Sequence, residues 1–391
     1  MNMNFNFNNP TNLIFGRGSL NELGSQTMPG KKALLLISNG KSTRENGYLD
    51  RTLEQLKKAG VETALFDKIM ENPIKDVIME GAAFARENQC DFIVALGGGA
   101  VIDASAAIAA MAVNEGDLWD YVFGGTGKCK PLEKKGLPIV AVATTSGTGS
   151  EMNGFGVISN LETKEKIGFG HPALTPVLAV VDPELMTTVP AKYTAYQGFD
   201  ALFHNTEVMM SKGVNVLSEA IALSAIENIT KYLPRAVKDG KDMEAREYIA
   251  YGSAIAGVTM QLTSTIAQHS MEHSMSAYHH NLPHGAGLIM ISKAFAEFFI
   301  ERHACDEQFI KMAKAMGIAN ADKPEDFITA LVKLQENCGV ADLKMSDFGF
   351  SCDEAMTLAK GARSMQGGLF EFNPCEMTDE DCAGIFEKSY R

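Results

Sequence analysis

Up to about residue 190 the chain alternates short apolar runs with helical segments, and after Pro190 the strand-like runs stop. The runs are Ala33-Leu34-Leu35-Leu36-Ile37-Ser38, Thr63-Ala64-Leu65-Phe66-Asp67, Asp91-Phe92-Ile93-Val94-Ala95-Leu96 and Pro138-Ile139-Val140-Ala141-Val142-Ala143. They are too short for helices and mostly lack a polar face, which suits strands buried on both sides in a parallel sheet. Helical segments near residues 49–59 and 74–88 separate them, and shorter pieces follow, ending in Val177-Leu178-Ala179-Val180-Val181-Asp182. Strand, turn and helix in this order predict an α/β N-terminal domain with a parallel sheet over residues 1–190. Residues 201–210, 216–233, 244–263, 286–300, 308–316 and 324–337 show helical periodicity, so residues 191–391 are expected to form an all-α C-terminal domain.

Charge and cysteine usage narrow the chemistry. A net charge of −13 over 391 residues repels nucleic acid and anionic membranes. No apolar run approaches the roughly 18 residues of a membrane span. The Asn-rich start, Met1 to Pro10, lacks the basic and apolar blocks of a signal peptide, so a cytoplasmic protein is expected. The seven cysteines are scattered, odd in number and without a C-x-x-C pair. That pattern reads as free thiols in a reducing compartment. Any metal must therefore be held by histidine and carboxylate.

Two loops follow predicted strands. Gly97-Gly98-Gly99-Ala100-Val101-Ile102-Asp103 ends one run and opens an apolar helix, where bare backbone N–H groups and the helix dipole favour a phosphate. The same glycines would also serve a tight turn, and the G-x-G-x-x-G fingerprint is absent. Thr144-Thr145-Ser146-Gly147-Thr148-Gly149-Ser150 is a second such loop. Both at one sheet end would make a polar crevice suited to a nucleotide diphosphate.

Five of the eight histidines, His269, His273, His279, His280 and His284, lie between Gln268 and Ala286. His269 and His273 are four apart and share one helix face, as do Asp200 and His204 in an earlier segment. Leu282-Pro283 breaks the helix, with His284-Gly285 just past the break. A helical Asp–His pair is commonly a surface hydrogen bond. Two such pairs with His284 instead offer one carboxylate and several imidazoles to Zn²⁺ or Fe²⁺. His279 and His280 suit the loop, and His171 and His303 are isolated.

Taken in order, these motifs resemble the iron-containing (group III) alcohol dehydrogenases, butanol-dehydrogenase-like members included. The likeness covers nearly the whole chain: Asn9 to Gly18, Asn72-Pro73, Gly97 to Asp103, Thr144 to Glu151, Asp182 to Leu185, Gly198 to His204, His269 to His273 and Pro283-His284-Gly285. The resemblance implies a dehydroquinate synthase-like fold, with a site in the cleft between an α/β domain and a helical domain. It implies Asp200, His204, His269 and His284 as metal ligands, with His273 beside the nicotinamide as the catalytic candidate. Asn72, Gly98, Gly99, Thr144, Thr145 and Lys166 match cofactor-holding positions. Members are commonly dimers or larger.

Three departures stand out. Ala100 replaces a usual serine, leaving backbone donors to a phosphate; Ala106 replaces a usual lysine; and the segment between His273 and His284 is one residue longer than in some members. NAD-preferring members resemble one another in an aspartate after the first strand. Here Asn39 stands there, with Ser42, Lys41 and Arg44 close by, a set that can accept a 2′-phosphate, so NADP(H) is expected over NAD(H). The expected activity is reversible hydride transfer between NAD(P)(H) and a primary alcohol or aldehyde, with Fe²⁺ or Zn²⁺ as Lewis acid. A glycerol-dehydrogenase-like polyol oxidoreductase, a dehydroquinate-synthase-like lyase and a non-catalytic metal- or nucleotide-binding protein are the alternatives.

Overall fold

The computed structural model describes residues 2–391 and groups them into two compact units. One spans Asn8–Thr188; the other runs from Val189 to Arg391 and takes in the N-terminal residues up to Phe7. The Val216 N–H donates to the Asn2 carbonyl at 3.0 Å, which ties that N-terminal segment to the helical unit.

The α/β unit contains β1 (Asn12–Phe15), β2 (Lys32–Ser38), α1 (Ser42–Glu45), α2 (Tyr48–Lys58), β3 (Glu62–Ile69), α3 (Lys75–Glu87), β4 (Phe92–Gly97), α4 (Gly99–Met111), β5 (Ile139–Ala143), β6 (Phe155–Asn160), β7 (Glu165–Gly170) and β8 (Leu178–Val181). Six strands form one sheet in the order β1-β8-β5-β4-β2-β3, with every pairing parallel. The apolar runs of β4 and β5 are buried throughout, as a strand covered on both faces requires. Helix α4 is buried everywhere except at Ala100. It is built from alanine and other small or apolar residues, the composition of a helix with no water-facing stripe. The β6–β7 antiparallel hairpin packs against it. From β2 the chain goes out to β3 and returns across β2 to β4, so the direction of winding reverses between β2 and β4. The crevice at the carboxyl ends of such strands is where ligands of open α/β sheets bind.

The helical unit contains α5 (Ala191–Met210), α6 (Val216–Lys238), α7 (Met243–Leu262), α8 (Ala267–Tyr278), α9 (His284–Glu301), α10 (Asp306–Ala315), α11 (Glu325–Asn337), α12 (Ala355–Glu371) and α13 (Asp379–Ser389). Helix α5 begins at Ala191 rather than 201, because Pro190 precedes its first turn and Gly198 does not break it. A Cβ on Gly198 would lie 2.2 Å from Leu233 Cδ1, so glycine there is what lets α5 and α6 approach. Helix α6 carries Pro234 inside its last turns and continues to Lys238. Helix α12 leaves helical geometry at Gln366 (φ −141°, ψ 47°), just before Gly367-Gly368. No helix among the described residues is long and apolar enough to cross a membrane.

Candidate active site

Three helices of the helical unit deliver one polar cluster into an otherwise apolar core. Asp200, His204 and Glu207 lie on α5, His269, Glu272 and His273 on α8, and His284 is the first residue of α9, with Pro283 as its N-cap. The i, i+4 spacing keeps Asp200 with His204 and His269 with His273 on common faces. Ligand-capable atoms of Asp200, His269 and His284 lie within 4.8 Å of one another. Asp200 Oδ1 is 3.5 Å from His269 Nε2 and 3.6 Å from His284 Nε2. The His204 ring stands beside them, its centroid 4.2 Å from that of His269. His273 falls with His284 and Glu272 instead, its ring stacked on His284 at 5.4 Å.

The imidazoles are oriented from behind. His269 Nδ1 is hydrogen-bonded to Glu207, and His284 Nδ1 to Glu272. His204 Nδ1 donates to the Asp200 carbonyl at 2.9 Å. With Nδ1 committed as donor, Nε2 of each ring is the nitrogen that keeps its lone pair. A carboxylate or carbonyl behind the imidazole is the usual support of a metal-binding histidine. Glu207 and Glu272 are both fully buried and were not anticipated from spacing. The available signal was an acid with no Lys or Arg three or four residues away to pair with it.

Among the buried atoms without a hydrogen-bond partner are Asp200 Oδ1 and His269 Nε2. Buried polar atoms are expensive to leave unsatisfied, and these two point at one another across 3.5 Å. A divalent cation between them satisfies both, so the residues present fit a metal. Burial alone would raise the Asp200 carboxyl, but His204, His269 and His284 override it and hold the group well below the usual carboxylate range. Burial opposes charge on His269, yet Glu207 and Asp200 push its imidazole up to about 10. Positive charge is favoured at His269 Nε2, supplied by a proton or by a cation that displaces it and takes the lone pair.

The α/β unit holds the expected cofactor residues. Gly98 caps α4 at the carboxyl end of β4, and the Thr144 N–H donates to the Gly97 carbonyl at 3.0 Å, so the two loops meet at one sheet end. A Cβ on Gly98 would lie 2.8 Å from Thr145 Oγ1, and one on Gly99 2.4 Å from Thr148 Cγ2. Glycine is thus required by loop packing as well as suited to phosphate approach. Asp103 on α4 ties the layers together, accepting from Ser150 Oγ at 2.6 Å and the Val157 N–H at 2.9 Å. Ala100 offers only its backbone, in the first turn of α4. Asn39 follows β2 across the reversal point from Gly98, and Ser42 opens α1. The Pro73 carbonyl accepts from the Ser159 N–H at 2.8 Å, and Ser159 pairs with the buried Lys166, which brings Asn72 and Lys166 to the hairpin. Arg44 is paired with Asp67 at 2.5 Å, so it is not an uncommitted cation for a 2′-phosphate.

The remaining candidates have structural partners. His279 bonds Glu354 at 3.0 Å and packs on Phe350, and His280 lies in the turn after α8. His303 pairs with Asp306, and His171 accepts from the Ala173 N–H. Trp119 is buried, donating to Glu165 at 2.9 Å. All seven cysteines are free thiols.

Residues 10–183 match the family model for iron-containing alcohol dehydrogenase, and residues 194–390 match its C-terminal domain. The chain is 37% identical to the probable NADH-dependent butanol dehydrogenase 1 of Bacillus subtilis (strain 168) over 99% of both chains. It is 33% identical to the 1,3-propanediol dehydrogenase of Klebsiella pneumoniae, again over 99% of each. Among solved structures, an archaeal halo-thermophilic Red Sea brine pool alcohol dehydrogenase superposes with a TM-score of 0.94 at 34% identity, covering 100% of both chains. The sequence match across both units and the metal-ready cluster on α5, α8 and α9 agree: the chain belongs to the iron-containing alcohol dehydrogenases, enzymes that move hydride between NAD(P)(H) and an alcohol or aldehyde.

Proposed function

We propose that this enzyme interconverts a primary alcohol and its aldehyde with NADP(H) favoured over NAD(H), using Fe²⁺ or Zn²⁺ held by Asp200, His204, His269 and His284. The observation that carries the ligand set is the pair of unsatisfied buried atoms, Asp200 Oδ1 and His269 Nε2, with His284 Nε2 beside them. His204 joins through Nε2, the nitrogen left by its bond to the Asp200 carbonyl. A bound divalent metal supplies Lewis acidity toward a substrate oxygen, and a bound nicotinamide supplies or accepts the hydride. Glu207 and Glu272 hold two of the imidazoles in the tautomer that leaves Nε2 unprotonated. His273, next to His284 but outside the ligand set, takes the alcohol proton during oxidation and returns it during reduction.

In this reading residues 1–190, apart from the N-terminal segment up to Phe7 that joins the helical unit, are the dinucleotide-binding domain and residues 191–391 the metal-binding domain. Gly98, Gly99 and Ala100 present backbone to the diphosphate, with Thr144, Thr145, Asn72 and Lys166 around the cofactor. Asn39 and Ser42 receive the 2′-phosphate, helped by Lys41. Neutral Asn39 supports NADP(H) by omitting a charge that would repel the phosphate; the pairing of Arg44 with Asp67 removes one of the cations first assigned there. The enzyme is read as a cytoplasmic homodimer or larger homo-oligomer. The test is butanal turnover by anaerobically metallated enzyme with NADPH and with NADH, alongside a His204→Ala variant. Expected are turnover with both cofactors, a lower KM for NADPH, and a His204→Ala protein that folds but neither retains metal nor turns over. A clear preference for NADH removes the cofactor assignment, and full activity and metal content in His204→Ala remove the ligand assignment.

A further inference from the structure

Helix α12 breaks at one residue, and that residue reaches the active site. Gln366 departs from helical geometry (φ −141°, ψ 47°) inside Ala355–Glu371. The break is supported locally: Gly367 and Gly368 follow it and weaken the helix. Ser270 Oγ donates to the Ala362 carbonyl at 2.8 Å and lies 3.5 Å from that of Gln366, so a hydroxyl from α8 serves carbonyls at the bend. From this position the Gln366 side chain hydrogen-bonds His273 Nδ1 through Oε1.

We propose that Gln366 is the positioning residue for His273, fixing its tautomer and ring orientation so that Nε2 is the proton-accepting nitrogen. An amide oxygen can only accept, so Nδ1 must carry the proton and Nε2 the lone pair. The charge of the partner matters as much as its place. His269 and His284 are backed by Glu207 and Glu272, anions that strengthen a metal-donor nitrogen. Gln366 gives His273 the same geometric restraint without a negative charge. The ring is therefore oriented like its neighbours but through a neutral partner; the Glu272 carboxylate, within 4.8 Å of it, is bonded to His284 instead. In oxidation Nε2 would take the hydroxyl proton, giving imidazolium, and in reduction would return it; a bound nicotinamide would supply the hydride chemistry.

The inference rests on the reading of His273 as the proton-handling group, and the experiment separates the two. In metallated enzyme, kcat and KM are measured for Gln366→Leu, Gln366→Glu, His273→Ala and the double variant Gln366→Leu with His273→Ala. Losing the orienting partner of an acid–base residue is expected to lower kcat by ~10-fold or more. Alcohol KM, metal content and melting temperature should stay at wild-type values. Gln366→Glu restores an acceptor oxygen at the same reach but adds an anion behind the ring, so it should recover only part of that loss, and full recovery would remove the argument from charge. In the His273→Ala background, Gln366→Leu should change kcat by less than about twofold, because nothing remains to be oriented. Equal losses in the two backgrounds, or wild-type kcat in Gln366→Leu, would overturn the role of Gln366 alone. Wild-type kcat in His273→Ala would overturn the reading of His273 and with it this inference. Should the leucine variant fail to fold, Gln366→Met, of similar shape and without the acceptor oxygen, carries the same comparison.

Discussion

Glu207→Gln separates a structural carboxylate from one that tunes the metal. Glu207 is fully buried and accepts from His269 Nδ1, from the Ile266 N–H at 2.7 Å and from the His269 N–H at 3.5 Å. It therefore caps the start of α8 and backs an imidazole of the proposed metal site with one charge. Glutamine keeps the shape and one acceptor oxygen, so the capping bond can persist, whereas alanine would strand a buried N–H at a cost of about 1–3 kcal/mol. What glutamine removes is the anion and the second acceptor oxygen behind His269: with its oxygen on the cap, its NH2 faces Nδ1 and favours the tautomer that protonates Nε2. Losing such a partner typically weakens metal affinity by about 10- to 100-fold, equivalent to about 1.4–2.8 kcal/mol. The assay is anaerobic competition for Fe²⁺, repeated with Zn²⁺, against chelators of graded strength. The melting temperature of the stripped proteins checks that the fold is intact. Affinity within twofold of wild type in a well-folded Glu207→Gln protein would refute the reasoning and reduce Glu207 to a helix cap.

Two further outcomes are expected from the α/β unit. Burial of Glu151, at the end of the threonine-rich loop, pushes its carboxyl up from 4.5 to about 7. Its penalty is absent below pH 4.5, grows as pH rises and is complete above about pH 7, so Glu151→Gln should stabilise the protein by about 3 kcal/mol at pH 8 and by nothing near pH 4.5. Urea unfolding of both proteins across that range measures the gap, and a pH-independent gap contradicts the assignment. Gly98→Ala would place a methyl 2.8 Å from Thr145 Oγ1 and push the two loops proposed to hold the cofactor apart. Overpacking of this kind costs about 1–3 kcal/mol, and cofactor KM should rise while metal content, measured by elemental analysis, stays unchanged.

How much of this was legible in sequence follows from what each signal encodes. Strands β2, β4 and β5 announced themselves because both faces are buried, leaving no polar residue to blur the run. Helices α12 and α13 did not, since the glycines at 361, 367 and 368 interrupt the apolar period of α12 and its bend at Gln366 resets the phase. The start of α5 was hidden by Gly198, which serves the contact with Leu233 rather than a turn. The convergence of Asp200, His269 and His284 was partly legible, because i, i+4 spacing constrains a face. Glu207, Glu272 and Gln366 were not, because their role depends on which helix packs behind which ring.

That distinction bears on how a cluster of like residues acquires different functions. His269 and His273 lie one turn apart on the same face of α8, and both are almost wholly buried, at 4% exposure each. Spacing and burial treat them alike. Their Nδ1 partners do not: His269 meets a carboxylate from α5, and His273 meets an amide from the bend in α12. An anionic partner favours a ring that shares in positive charge, which suits a metal ligand; a neutral acceptor fixes the same tautomer without that bias, which suits a group that must take a proton and give it back. On the proposed roles, the division between holding a metal and handling a proton is written in the groups behind the histidines rather than in the histidines themselves.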